Sequence, residues 1–245
     1  MYILGFETTG ALGSAALYNL DTDEIRCLSV NQPMEHLKNI IGLAKRLLDD
    51  EKAGADELKA VAASVGPGSY TGIRIGVSSA RAVAQGLNIP CISVPSLDIF
   101  KEKCKGDTGC AVIFNARRGQ VYGAVFDETG RDVLKAGPYM LSDVVEAVSK
   151  SGKDIVFYGD GVSAYRNSED YGYMLENKKL AAEKDLLPTA EMVVRYGAEV
   201  YRKGNTCSYT ELEPSYMRET EAEQKLRDGT LDRLRKEKMA KFAGR

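Results

Sequence analysis

The sequence predicts an α/β protein of two related lobes, each a mixed sheet flanked by helices. Three observations carry this. A strand, a short polar turn and a second strand open the chain at 2–17, and the same arrangement returns at 111–126. Amphipathic segments with helical spacing alternate with short apolar runs, the pattern of β–α crossovers. Between them, residues 60–87 pass from an apolar strand through Gly66-Pro67-Gly68-Ser69-Tyr70-Thr71-Gly72 into a helix.

In chain order, 2–7 reads as a strand, 8–10 as a Thr/Gly-rich turn, 11–17 as a second strand and 25–30 as a third. A helix over about 34–52 follows, with Leu37, Ile40, Ile41, Ala44, Leu47 and Leu48 on its apolar stripe. In the next helix Ile73, Val77, Ala80, Ala84 and Leu87 recur at steps of four and three, so they share a face. Ser69 or Thr71 can cap its start, because a hydroxyl accepts from the free amides of a first turn, and Gly86, Asn88 and Pro90 mark its end. Residues 91–94 form another buried strand.

The second half repeats strands at 111–116, 120–126 and 132–136, then a helix capped by Ser142 and running to Ser149. A strand at 154–158 ends in Gly159-Asp160-Gly161. Residues 167–185 read as loop with a short helix, Pro188 opens a helix through Arg202, and Pro214-Ser215-Tyr216-Met217-Arg218 is a short extended piece. The boundaries are 1–105 for the first lobe, 106–218 for the second and 219–245 for a charged, helical tail, acidic first and basic last.

Composition excludes several classes. Hydrophobic content of 44%, charged content of 28% and a net charge of −2 describe a globular chain, not a dedicated nucleic-acid binder. No apolar run approaches a membrane span and Met-Tyr-Ile-Leu is no signal peptide, so the expected compartment is the cytoplasm, with no membrane partner. Five cysteines without CxxC spacing suit free thiols. The single histidine, His36, rules out a His-rich metal site, and a Ser-His-Asp or Cys-His hydrolase would have to use it alone.

The Gly-rich loop invites a nucleotide reading. A P-loop needs Lys and Ser/Thr after its last Gly, but Gly72 is followed by Ile73 and Arg74. The dinucleotide fingerprint GxGxxG is also absent. Positive-φ glycines around Pro67 explain the loop as a turn, with anion binding at the helix start as the alternative. Gly72, Gly76, Ala80 and Ala84 form a row of small residues that either admits another backbone or lets the helix lie flat on its own sheet.

The segments GPGSYTGIRIGVSSARAVAQGLNIP at 66–90, ILGFETTGALGSAAL near the start, NARRGQVYGAVF at 115–126 and PSYMR at 214–218 resemble the TsaB (YeaZ) family. The resemblance implies an actin-like, two-lobed ASKHA (ribonuclease H-like) fold. It also implies a subunit of the bacterial machinery that makes threonylcarbamoyladenosine beside the tRNA anticodon. Related TsaD proteins are catalytic and carry HxxxH metal ligands; aligned on Val94, the corresponding positions here are Ser96 and Phe100. Glu7 stands where the family usually has Asp.

The expectation is therefore a non-catalytic scaffold that binds the TsaD-type catalytic subunit and helps recruit the TsaE-type ATPase. It would homodimerise when that partner is absent and meet tRNA only through the complex. No cofactor or metal is expected in this chain, with ATP and metal held by the partner subunits. The expected interface is the helix pair, through Leu37, Ile41, Ala44, Leu48, Gly72, Gly76, Ala80 and Val83, beside a loop of Gly66, Pro67, Gly68, Ser69, Thr71 and Arg74. The alternative is an ASKHA-type ATPase or phosphotransferase, with the Glu7 turn, the Gly66 loop and Gly159-Asp160-Gly161 around a nucleotide. An M22-type metallopeptidase ranks last.

Overall fold

The structure, a computed structural model, describes residues 1–30 and 36–217, with the side chains of residues 36–38 outside the description. Met1–Ser215 is one compact unit. The charged tail 219–245, Arg218 and the side chains of His36 and Leu37 lie outside the described residues.

The first sheet is five-stranded, in the order β3 (Ile25–Ser29), β2 (Ser14–Asn19), β1 (Tyr2–Glu7), β4 (Leu58–Gly66), β5 (Cys91–Pro95). β1/β2 and β2/β3 are antiparallel, whereas β1/β4 and β4/β5 are parallel. The second sheet repeats this topology with β8 (Asp132–Met140), β7 (Gln120–Phe126), β6 (Thr108–Asn115), β9 (Asp154–Tyr158) and the two-residue β10 (Lys179–Leu180). Its pairings run antiparallel, antiparallel, parallel, parallel in the same sequence. The duplication read from the two strand–turn–strand openings is therefore present in strand order and direction.

Helices α1 (His36–Glu51) and α2 (Tyr70–Leu87) cover one face of the first sheet. Their buried residues Ile40, Ala44, Leu47, Ile73, Val77, Ala80 and Ala84 pack with Leu4 and Phe6 of β1 and Val61, Ala63 and Val65 of β4. Successive strand residues point to opposite faces, so Gly5 and Ala62 turn the other way. There they meet Val194 and Gly197 of α5 (Ala190–Arg202). The sequence reading placed α5 in the second lobe, but it closes the far face of the first sheet. Cys207 then bridges to Cys91 at the sheet edge, and Leu212 enters the α1/α2 core. Helix α3 (Leu141–Ser151) and helix α4 (Asp160–Tyr165) pack on the second sheet.

Local chemistry accounts for the helix ends. Ser69 Oγ accepts from Gly72 N–H at 3.2 Å, and Asn88 closes α2 at φ 52°. Helix α3 starts one residue before the expected Ser142 cap: Asp143 Oδ2 accepts the Met140 N–H at 3.0 Å, so a carboxylate replaces the hydroxyl. Helix α4 was not expected, because a single turn after Gly159 carries no periodicity. No described helix is long and apolar enough to cross a membrane.

The small-residue row is core, not surface. Gly72, Gly76, Ala80 and Ala84 are all buried in the chain, as is Ala44 of the expected interface. The reason is the turn after β1. A Cβ at Gly72 would stand 1.8 Å from the Thr8 carbonyl oxygen, and one at Gly76 2.4 Å from Thr8 Oγ1. Thr8 Oγ1 donates to the Gly72 carbonyl at 2.7 Å, locking turn and helix together. Ile41, Thr71 and Arg74 are exposed and Leu48 and Val83 half-buried.

These contrasts set a stability test. Gly76→Ala lowers the melting temperature, because overpacking against the Thr8 hydroxyl costs about 1–3 kcal/mol. Gly86→Ala, with nothing within 4 Å of the new methyl, raises it through about 0.5–1 kcal/mol of helix propensity. Thermal unfolding of both variants checks the sign difference.

Candidate functional site

A cleft of about 590 Å³ opens where the two sheets' strand ends converge. The first-sheet side is made by Thr9, Gly10 and Ala11 of the turn after β1 and by Gly68 to Gly72 at the start of α2. The second-sheet side is made by Phe114, Asn115, Arg117, Tyr122 and Asp160, with Leu187 and Pro188 closing one flank.

The loop 66–69 reaches the cleft through constrained backbone. Gly66 and Gly68 sit at φ 117° and 152°, and the Gly66–Pro67 peptide is cis. A Cβ at Gly66 would fall 2.4 Å from the Ser215 carbonyl, and one at Gly68 2.7 Å from that of Thr9, so only glycine fits either position. Ser69 N–H donates to the Thr9 carbonyl at 2.8 Å, joining the two turns into one wall. Of the expected loop residues, Gly68, Ser69 and Thr71 line the cleft. Gly66 and Pro67 are buried behind it, and Arg74 is on the outer surface, its guanidinium stacked 4.1 Å from the Tyr70 ring centroid.

Glu7 does not face the cleft. It is buried, and its Oε1 accepts Thr9 N–H and Thr9 Oγ1–H, each at 2.6 Å, and Gly10 N–H at 3.3 Å. Ser64 Oγ donates to Oε2. Burial pushes the carboxyl above its ordinary range, and these donors pull it back only in part. A carboxylate whose oxygens are taken by the backbone and hydroxyl of its own turn and by Ser64 of β4 shapes that turn and ties it to β4; it is not offered to a metal.

Sequence reasoning had placed Asp160 in a candidate segment but did not single out Asn115 or Tyr122. Asp160 accepts the Asn115 N–H at 2.9 Å, and burial raises its carboxyl. Asn115 Oδ1 in turn accepts Arg117 N–H at 2.8 Å and Tyr165 O–H at 2.9 Å. This asparagine holds the β6–β7 turn, in which Arg117 and Arg118 both occupy the left-handed region at φ 69° and 54°. Two adjacent non-glycine residues there cost roughly 1–2 kcal/mol each. The available signal was an Asn at a strand end followed by a polar turn, the setting of an Asx bond.

Ser96 and Phe100, which the resemblance aligns with the HxxxH ligands of TsaD proteins, are both taken up by packing. Ser96 is buried, its Oγ accepting the Gly66 N–H at 3.2 Å and its own N–H donating to the Gly66 carbonyl at 2.9 Å. Phe100 is buried with its ring 6.0 Å from Phe114 and 5.9 Å from Tyr158. Among the described residues no group of three or more His, Cys, Asp or Glu is placed to hold a metal ion.

The role of Glu7 is testable through its neutral isostere. Glu7→Ala strands buried donors and lowers stability by about 2–4 kcal/mol. Glu7→Gln keeps the shape. A folded carboxyl raised above the ordinary 4.5 contributes stability below that pH and loses it as pH rises through the folded value. The melting temperature of Glu7→Gln minus that of the unsubstituted chain therefore grows between pH 4 and 8. A constant difference would contradict the assignment.

The comparisons with known proteins agree with this architecture. The family model described as "TsaD: tRNA N6-adenosine threonylcarbamoyltransferase" matches residues 32–226. The Escherichia coli (strain K12) tRNA threonylcarbamoyladenosine biosynthesis protein TsaB is 28% identical over 92% of this chain and 98% of its own length. Its Bacillus subtilis (strain 168) namesake is 29% identical over 92% and 97%. Among solved structures, YeaZ from Pseudomonas aeruginosa aligns with a TM-score of 0.72 at 21% identity, covering 88% of this chain and 99% of that one. The fold is thus shared with YeaZ, and its two five-stranded mixed sheets of matching topology give the expected duplicated α/β architecture. The chain belongs to the TsaD family described by that model and, within it, to the TsaB (YeaZ) proteins.

Proposed function

We propose that this chain serves tRNA threonylcarbamoyladenosine biosynthesis in the cytoplasm as a non-catalytic subunit, docking the TsaD-type catalytic protein and helping to recruit the TsaE-type ATPase. The observation that carries the reading is the fate of Ser96 and Phe100. Both are committed to packing, one bracing the Gly66 loop and the other filling an aromatic cluster. Neither offers an imidazole, and the one histidine of the chain lies elsewhere in the sequence. The transfer chemistry then belongs to the partner, together with its ATP and metal.

What this chain supplies is a surface. With the small-residue row buried, the outward stripe of α2 consists of Thr71, Arg74, Ser78, Ala82, Gln85 and Gly86, all exposed. Beside it α1 exposes Ile41 (47%), Gly42 and Lys45, and Leu48 is half-buried. The short side chains of Ser78, Ala82 and Gly86, between Arg74 and Gln85 and next to the apolar Ile41 and Leu48 of α1, suit close packing against another helix pair. In the absence of the catalytic subunit the same stripe would pair with a second copy.

Co-purification with the TsaD-type protein of the same organism, followed by tRNA modification with and without this chain, tests the function. Ile41→Glu combined with Ala82→Arg weakens that association at least tenfold, about 1.4 kcal/mol or more, and leaves the melting temperature unchanged. Undiminished affinity would remove the stripe from the interface.

The cleft supports a second reading, a nucleotide site between turn 9–11, loop 68–72 and Asp160. Against it stands Glu7, withdrawn from the cleft and satisfied by its own turn and by Ser64 of β4. Calorimetry with ATP and magnesium decides: the accessory reading expects no submillimolar binding by the isolated chain, and such binding would favour the ATP-using alternative.

A further inference from the structure

We propose that Cys104 and Cys110 are a modification site: a dithiol that a hydroperoxide oxidises to a reversible intramolecular disulfide across the connection between the two sheets. The pair flanks the turn through which the chain leaves the 3-10 helix Asp98–Lys103 and enters β6. Their sulfurs are 3.4 Å apart. A disulfide needs about 2.0 Å, so each sulfur has only a fraction of an ångström to give. The turn between them can yield, because Lys105, Gly106 and Asp107 are exposed. It is held by two 3.1 Å hydrogen bonds between Lys105 and Thr108.

The two thiols are unequal in the way such a reaction requires. Cys104 is partly exposed and open to a small oxidant, whereas Cys110 is buried, its sulfur 3.3 Å from the Phe100 carbonyl oxygen. Cys110 holds the Cys104 thiol below its ordinary range, and Cys110 itself is pushed up by Cys104 and by burial. Cys104 Sγ–H donates to Cys110 Sγ and Cys110 Sγ–H donates to the Phe100 carbonyl, so Cys104, on the accessible side, is the thiol that meets the oxidant first. The other cysteines lack this arrangement. Cys91 and Cys207 are joined through their backbones, with the Cys207 sulfur directed at the Cys91 carbonyl oxygen at 3.6 Å. Among the described contacts, Cys27 has no sulfur neighbour of this kind.

The chemistry balances with a hydroperoxide as the named co-reactant. The Cys104 thiolate attacks one peroxide oxygen, the O–O bond breaks, and hydroxide leaves to take up a proton as water. The product is a Cys104 sulfenic acid. The Cys110 sulfur then attacks the Cys104 sulfur, the S–O bond breaks, and the departing hydroxide carries off the Cys110 proton as a second water. Two thiols are oxidised, and one hydrogen peroxide is reduced to two waters. The resulting bond would staple the point at which the chain passes from the first sheet to the second.

Peptide mapping of the full, reduced chain after equimolar hydrogen peroxide tests this. Remaining thiols are alkylated under denaturing conditions and trypsin is applied without reductant. The expected product joins the dipeptide Cys104-Lys105 to the peptide 106–117, and dithiothreitol releases the two. In Cys110→Ser the resolving sulfur is gone, and dimedone traps the Cys104 sulfenic acid that the unsubstituted chain does not accumulate. Recovery of both cysteines as alkylated thiols, or pairing of either with Cys27, Cys91, Cys207 or another chain, would overturn the proposal. The mapping needs no variant, so a fold defect in Cys110→Ser cannot decide it.

Discussion

The structure depends on the fit of Thr8 into the glycine side of α2. At Gly72 the helix passes so close to the backbone of the turn after β1 that no β-carbon can be accommodated, and at Gly76 a β-carbon would have to displace the Thr8 hydroxyl. The Thr8 hydroxyl closes the contact on the Gly72 carbonyl. Glu7 sets the same turn from inside by gathering the amides of Thr9 and Gly10 and the hydroxyls of Thr9 and Ser64. One short segment thereby fixes β1, β4 and the start of α2 relative to one another. A buried carboxylate serving many local donors is a costly device, sustained only where geometry must be held.

The same contact separates the two sides of α2. Its inner side, with Ile73, Val77, Ala80 and Ala84, is spent on the first sheet, and the glycines are spent on the turn. The outer side carries short residues with nothing above them at Gly86. The cleft is shaped by the other end of the arrangement, where Ser69 bonds to Thr9 and Ser96 grips both polar groups of Gly66. At the positions that the resemblance aligns with the metal ligands of TsaD proteins, Ser96 is a brace and Phe100 an aromatic contact.

Periodic features were legible in the sequence. The spacing of Ile73, Val77, Ala80 and Ala84 located the buried stripe of α2, and Ser69 and Asn88 closed its ends as their chemistry requires. The repeated strand–turn–strand openings announced the duplicated topology. The glycine row was not legible, because Gly72 and Gly76 are compatible with a neighbour from any chain. Only the tertiary position of Thr8 identifies the neighbour as internal. The same limit applies to α5, whose amphipathic pattern is clear but whose target sheet is not local information. Asn115 escaped because its function is to bond its own turn, and α4 because six residues carry no period.

Hydroxyl-radical footprinting of the chain alone and with the TsaD-type protein of the same organism bears most directly on the claim that this molecule contributes a surface. The account predicts that Ile41, Leu48 and Val83 lose reactivity in the complex and that the cleft residues Tyr122 and Leu187, both partly exposed, keep theirs. Protection confined to Tyr122 and Leu187, with the helix pair unchanged, would contradict it.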